Sequence, residues 1–136
     1  MRCNLKTTFE ECTEALHSNL TVWDFEKTNE YFSYLNSKIK FESWGQISLK
    51  PDNNSILKTT NFYDIYTYFH NFGLCYKKCY LITLDSDYPI LETDCQNLLS
   101  NQYDVLALSH GIFIVLPEDD LILEIWNNTN FLLVKT

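Results

Sequence analysis

Short apolar runs separated by turn-forming residues dominate the C-terminal part of the chain. Three such runs follow one another: Gly111–Leu116, Leu121–Trp126 and Phe131–Val134. The clusters Pro117–Asp120 and Asn127–Asn130 separate them, which is the pattern of consecutive antiparallel strands. Gly111–Leu116 is apolar at every position, so we expect a central strand that is covered on both faces. The sequence therefore predicts a C-terminal β-meander.

Helical periodicity predicts two helices near the N-terminus. Thr8 and Glu11 fit a capping box, with apolar residues recurring on one face over Phe9–Ser18. Asp24 can cap a second helix, whose helical period continues to about Lys40.

A third helix begins after Asn61, a favourable N-cap residue, and carries an apolar face made by Phe62, Ile65, Tyr66 and Phe69. Gly73 followed by Leu74 is typical of a left-handed C-terminal cap. Between the second and third helices the pattern is ambiguous. Residues 39–49 fit either a continued helix or a strand, and we favour a short strand at Gln46–Leu49, followed by a loop at Pro51–Ser55.

The pattern of the segment before the meander predicts a strand and a helix, which are followed by a further apolar run. Cys79–Leu84 is apolar on both faces except for one threonine, and Ile90–Ser100 has a helical apolar face. The step from Cys79 to Leu108 then predicts a parallel strand–helix–strand crossover, with Tyr103–Leu108 as the second strand. The whole chain, residues 1–136, is expected to form one α+β domain. Three to four helices would pack on a mostly antiparallel sheet of four to five strands.

The chain is acidic, since 18 Asp and Glu residues against 10 Lys and Arg residues give a net charge of −8. Such a surface repels phosphate backbones, so nucleic-acid binding is not expected, and it attracts basic partners. No signal-peptide pattern is visible, and no apolar run reaches the roughly 20 residues of a membrane span. Five cysteines without a repeating framework indicate buried free thiols in a reducing cytoplasm.

Three combinations of residues raise the question of catalysis or metal binding. Cys75 and Cys79 have a spacing that zinc sites use, but the sequence contains no second cysteine pair. Asp85 and Asp87 follow an apolar strand, where carboxylates can hold Mg²⁺, although the same residues also suit a turn. Cys75, His110 and Asp85 are the residues from which a dispersed enzyme site would be built. None forms a recognisable motif, so we expect no enzyme, no metal and no cofactor.

The densest acidic feature is the predicted turn with Glu118, Asp119 and Asp120, and Glu124 lies just beyond it. One interpretation is a solvated turn, in which the carboxylates only keep the loop in water. The other is a binding surface for a basic partner, to which Asp85 and Asp87 would contribute.

The chain resembles bacterial toxin-immunity proteins in four features. These are its size, its charge of −8, the acidic turn at Glu118–Asp120 and its many tyrosines. The nearest comparison is with the immunity proteins of contact-dependent growth inhibition and polymorphic-toxin systems. The resemblance implies binding to a cognate toxin domain, often a nuclease with a basic cleft, and protection of the cell that makes the toxin. Glu118–Asp120 would then face the partner, with Trp126 or Tyr63 as an aromatic anchor. The alternatives are a small cytosolic enzyme and a non-catalytic subunit of a larger assembly.

Overall fold

A seven-stranded antiparallel sheet forms the centre of the computed structural model, which describes residues 7–43, 45–47, 55–84 and 88–136. The strands are β1 (Thr21–Val22), β2 (Ser55–Thr59), β3 (Lys78–Thr83), β4 (Leu91–Asp94), β5 (Gly111–Leu116), β6 (Leu121–Trp126) and β7 (Asn130–Lys135). Their order across the sheet is β1-β4-β3-β5-β6-β7-β2. The α+β class and the C-terminal meander are confirmed.

β5 lies in the middle of this sheet, between β3 and β6, and all of its residues are buried. Its side chains alternate between two cores, because successive residues of a strand point to opposite faces. Ile112, Ile114 and Leu116 contribute to one core, and Phe113 and Val115 to the other. The prediction of a central strand covered on both sides is therefore confirmed.

The helices divide unequally between the two faces of the sheet. They are α1 (Thr8–Leu16, continued by a 3₁₀ turn), α2 (Phe25–Lys38), α3 (Phe62–Asn71), α4 (Cys95–Ser100) and α5 (Gln102–Leu106). Buried residues of α1, α3, α4 and α5 belong to one core, and those of α2 to the other. We call these sides the four-helix face and the α2 face. Among the described residues, no helix is long and apolar enough to cross a membrane.

The predicted helix caps agree closely with the structure. Asp24 accepts a hydrogen bond from Lys27 N, and Asn61 from Tyr63 N. Gly73 has a φ of +66°, and Leu74 N donates to Phe69 O as in a left-handed cap. The first cap is shifted by one residue. The capping box uses Thr7 and Glu10 in place of Thr8 and Glu11, because the doubled Thr-Thr and Glu-Glu pairs offer two equivalent registers.

The prediction of one helix over Ile90–Ser100 is wrong. Its first half is strand β4, which pairs with β3 with Leu91 opposite Leu81, and only Cys95–Ser100 is helical. Buried and partly exposed residues alternate along β4, as in a half-covered strand. Asp94 ends the strand and caps α4 by accepting a hydrogen bond from Asn97 N.

The predicted parallel crossover is also wrong. Residues Gln102–Leu106 form helix α5, and β3 pairs antiparallel with both β4 and β5. Only Val105 of α5 is buried, since the apolar run packs one side on its neighbours and does not enter the sheet.

The strand and helix numbers exceed the prediction. The sheet has two short edge strands, β1 and β2, which are mostly exposed and so lack the apolar alternation that marks a strand in sequence. β2 begins at Ser55, a residue assigned to the loop.

Helix α2 ends at Lys38, and Phe41 pairs with Ile47 in an isolated bridge. The rest of the expected strand, residues 48–49, lies outside the described residues. The described part of the chain contains five α-helices, where three to four were predicted.

Helix α2 is attached to the sheet by a buried polar contact as well as by apolar packing. Thr28 is 2% exposed, and its Oγ1 accepts a hydrogen bond of 3.1 Å from Ile90 N. Trp23, just before the helix, donates from Nε1 to a Glu92 carboxylate oxygen at 2.9 Å. The Thr28 bond satisfies a main-chain donor beside β4 that would otherwise be buried and unpaired.

Replacing Thr28 by Val should destabilise the protein by about 1–3 kcal/mol, because the side chain keeps its volume while Ile90 N–H loses its acceptor. Urea unfolding followed by circular dichroism measures the change. The control is Thr21→Val on the exposed edge strand β1, which should alter stability by less than about 0.5 kcal/mol. Equal effects of the two substitutions would contradict the assigned role of Thr28.

Candidate partner-binding surface

The acidic turn, Glu118–Asp120, is held in place by the C-terminal strand. Asp119 N donates to Leu116 O at 3.2 Å, and Thr136 N donates to Asp120 O at 2.8 Å. Asp120 adopts a φ of +53°, a left-handed conformation that aspartate tolerates. Glu118 and Asp120 are exposed and Asp119 is half-buried. The predicted acidic turn is therefore present and well supported by main-chain contacts.

Lysines from three other parts of the chain approach this turn. Lys38 Nζ lies 3.5 Å from Asp120 Oδ1, and Lys77 Nζ lies 3.9 Å from Asp119 Oδ1. Lys135 Nζ donates to the Asp119 carbonyl oxygen at 2.8 Å. Exposed ion pairs of this kind contribute little to stability, but they offset part of the negative charge of the turn. The turn is thus a mixed-charge surface, which the sequence did not indicate.

A groove of about 230 Å³ adjoins the acidic turn on the α2 face. It is lined by Tyr31, Tyr34, Leu35, Lys38, Tyr80, Val115, Leu116, Pro117, Asp120, Leu121, Ile122 and Thr136. We call it the turn groove. Burial, with the neighbouring Tyr80 and Tyr34, raises the pKa of Tyr31 to about 12, so this ring is a neutral aromatic wall at physiological pH.

Tyr34 and Lys38 line the turn groove, and the sequence analysis did not include them among the candidate site residues. They lie four residues apart on α2, next to the buried Leu35, and Lys38 Nζ donates to the Tyr34 hydroxyl at 3.2 Å. Tyr34 keeps 49% of its surface exposed. Their position beside the apolar stripe was the available signal, but only the fold places the end of α2 next to the β5–β6 turn.

The remaining predicted contact residues are dispersed. Trp126 is half-buried at the opposite end of β6 from the turn, where its ring meets His110 at a centroid distance of 5.3 Å. Tyr63 projects from α3 on the four-helix face and is 69% exposed. Asp85 and Asp87 lie outside the described residues. One flat interface cannot include the turn, Trp126 and Tyr63 together.

Glu124 differs from the described acidic residues of the turn that were predicted to bind a partner, because it is buried, with 3% of its surface exposed. Its neighbours Leu123 and Ile125 belong to the four-helix core, so alternation places Glu124 on the α2 face. Its Oε2 accepts a hydrogen bond of 2.5 Å from Ile47 N. Burial raises the pKa of Glu124, and the hydrogen bond from Ile47 acts in the opposite direction.

A cleft of about 700 Å³ opens over Glu124 on the α2 face, and it is larger than the turn groove. The described residues that line it are Glu42, Gln46, Ile47, Lys58, Thr59, Thr60, Glu124, Asn130, Phe131 and Leu132. We call it the Glu124 cleft. It combines one buried carboxylate with a polar rim and an apolar wall.

The geometry opposes the enzyme built from Cys75, His110 and Asp85. Cys75 precedes β3 and His110 precedes β5; because these strands run antiparallel, the two residues lie at opposite ends of the sheet. Burial raises the pKa of the Cys75 thiol, whereas a cysteine nucleophile needs a lowered one. Asp85 lies outside the described residues.

The cysteines otherwise behave as expected for structural thiols. Cys12, Cys75, Cys79 and Cys95 are buried and free, and Cys3 lies outside the described residues. Burial, reinforced by Asp104, raises the pKa of Cys12 to about 12, and burial also raises that of Cys79 well above its ordinary value. No group of three or more His, Cys, Asp or Glu side chains in the described part of the chain could hold a metal ion.

The acidic turn adjoins one of the two recesses that lie on the α2 face. The family described as CdiI immunity protein, EcoliA0-like, matches residues 6–133, and the chain belongs to this family. It is therefore a toxin-immunity protein of contact-dependent growth inhibition, which confirms the resemblance. A search of curated proteins gave no match to the chain.

Replacing Glu124 by Gln should make stability less dependent on pH. A glutamate whose pKa is raised by folding favours the folded state at low pH, and this contribution is lost as pH rises through the raised pKa. Gln keeps an oxygen that can accept from Ile47 N but does not titrate. The variant should therefore gain stability relative to the natural protein as pH increases, in urea unfolding at a series of pH values from about 4 to 8.

The matched control is Glu118→Gln, the same chemical change at an exposed position of the turn. The free energy of unfolding of this control, taken relative to that of the natural protein, should show no comparable rise with pH. If the free energies of unfolding of Glu124→Gln and of the natural protein differ by a constant amount across this pH range, folding does not raise the pKa of Glu124.

Proposed function

We propose that this immunity protein neutralises a basic toxin domain, a nuclease being the best candidate, by binding it through the α2 face. Membership of the immunity family carries the proposal. The net charge of −8 supports attraction of a basic toxin over distances longer than any single contact. The activity takes place in the cytoplasm, which is consistent with the buried free thiols.

The acidic turn supplies the polar part of the proposed contact. Its main chain is already ordered by the C-terminal strand, so little conformational entropy is lost when a partner binds. Lys38 and Lys77 hold the two aspartates in position, while Glu118 points into solvent at the tip. A lysine or arginine of the toxin can then join the carboxylates from outside.

The turn groove supplies the aromatic part. Tyr34 is half exposed at its edge, and Tyr31 and Tyr80 lie behind it. The ring centroid of Tyr31 is 5.5 Å from that of Tyr34 and 5.2 Å from that of Tyr80. Tyrosine is enriched among the residues that dominate binding energy because it offers a rigid apolar ring with a polar end. Tyr63 on α3 remains a proposed anchor only for a toxin that reaches around the sheet. Trp126 lies two residues beyond Glu124 on β6, so strand alternation places it on the α2 face, where it remains a proposed anchor.

Neutralising the acidic turn should weaken toxin binding by about tenfold or more at low salt and reduce its salt dependence. The variant carries Glu118→Gln, Asp119→Asn and Asp120→Asn, with Asn retained at the left-handed position. Calorimetry with the toxin domain encoded by the neighbouring reading frame measures the Kd. Growth of cells that express the same toxin domain measures protection.

The control makes the same change of net charge on the other side of the sheet, with Glu11→Gln, Glu14→Gln and Asp104→Asn on α1 and α5. It should slow association slightly through the lower net charge and leave the dissociation rate unchanged. If both triple variants lose the same affinity, net charge alone matters and the turn is not the contact. If the natural protein neither binds nor protects, the proposed partner is wrong.

A further inference from the structure

Glu124 lies at the bottom of the Glu124 cleft, where the described residues give its buried carboxylate few stabilising contacts. On the neighbouring strands, Phe113 of β5 and Leu132 of β7 are directly opposite it. Its one hydrogen bond within the described residues comes from Ile47 N. A buried carboxylate normally needs a paired cation or several donors, because its removal from water is unfavourable unless its charge is compensated.

Within the described part of the chain, the charged groups that line the cleft do not supply that cation. Lys58 of β2 and Glu42 of the segment after α2 both line it. Lys58 forms no ion pair with Glu124 among the described residues, and Glu42 adds a second negative charge to the wall. The described lining of the cleft therefore combines two carboxylates and one lysine with an opening to solvent.

We propose that the Glu124 cleft receives one lysine or arginine side chain of the toxin, which pairs with the Glu124 carboxylate. This inference rests on the proposed function, and it identifies a specificity contact distinct from the acidic turn. The cation would occupy the position where the described residues provide a carboxylate without an ion-pair partner, and the apolar Leu132, opposite Glu124 on β7, would cover its methylene groups.

The shape and rim of the cleft also suit a long basic side chain. A volume of about 700 Å³ exceeds what one such side chain fills, so part of the toxin main chain can enter with it. Asn130 at the rim, whose amide nitrogen donates to Trp126 O, offers its amide oxygen as an acceptor to that main chain. Because the turn groove opens on the same face of the sheet, one toxin surface can reach both recesses.

The first test measures binding of Glu124→Gln to the toxin domain encoded by the neighbouring reading frame. Loss of one partner of a buried charge pair should weaken the Kd by about 30-fold or more, mainly through faster dissociation. Circular dichroism and urea unfolding verify that the variant is folded. The control is Glu11→Gln, the same change at an exposed site on α1, which should leave the Kd within about twofold.

The second test identifies the toxin side chain. Each surface lysine and arginine of the toxin is replaced by Met, and binding is measured to both the natural immunity protein and Glu124→Gln. One toxin position should lose its effect in the Glu124→Gln background, because the two groups form one interaction. All other positions should have additive effects.

The results separate the two proposals. If the natural protein binds the toxin domain and Glu124→Gln binds equally well, the carboxylate serves only to hold Ile47, and the inference is overturned while the immunity function stands. If Glu124→Gln weakens binding but no toxin residue is coupled to it, the loss arises from local rearrangement and the inference is again overturned. If the natural protein does not bind, the proposed function itself fails.

Discussion

The architecture depends on covering both faces of β5. Because its side chains alternate between two apolar cores, the sheet cannot leave either face in water. The four-helix face is closed by α1, α3, α4 and α5, whereas the other is covered by α2 and the short segment after it. Helix α2 buries only Thr28 and Leu35. This thin cover explains why the turn groove and the Glu124 cleft both lie on the α2 face.

The electrostatics of the molecule operate at two length scales. The charge of −8 belongs to the chain as a whole and attracts basic partners over roughly the Debye length of about 10 Å. At the acidic turn, lysines from α2, from just before β3 and from the end of β7 offset that charge locally. Among the described carboxylates, Glu124 in its cleft is the most enclosed.

The prediction of the fold succeeded where local chemistry decides the structure. The caps at Asp24, Asn61 and Gly73 depend on side chains and backbone angles within a few residues, so they were found from the sequence. It failed at β4 and α5, short segments whose apolar pattern fits a helix and a strand equally well. There, pairing of Leu91 with Leu81 and packing of Val105 outweighed local preference.

The sequence by itself determined a central apolar strand, a C-terminal meander, the main helix caps, an acidic character and the position of the acidic turn, because these follow from periodicity, turn residues and charge. Only the tertiary structure decided which acids are exposed. It brought Lys38 and Lys77 to the turn, left Tyr63 on the opposite face, and placed Glu124 beneath Ile47. The physical reason is that burial and ion pairing depend on contacts between segments distant along the chain, which no local pattern encodes.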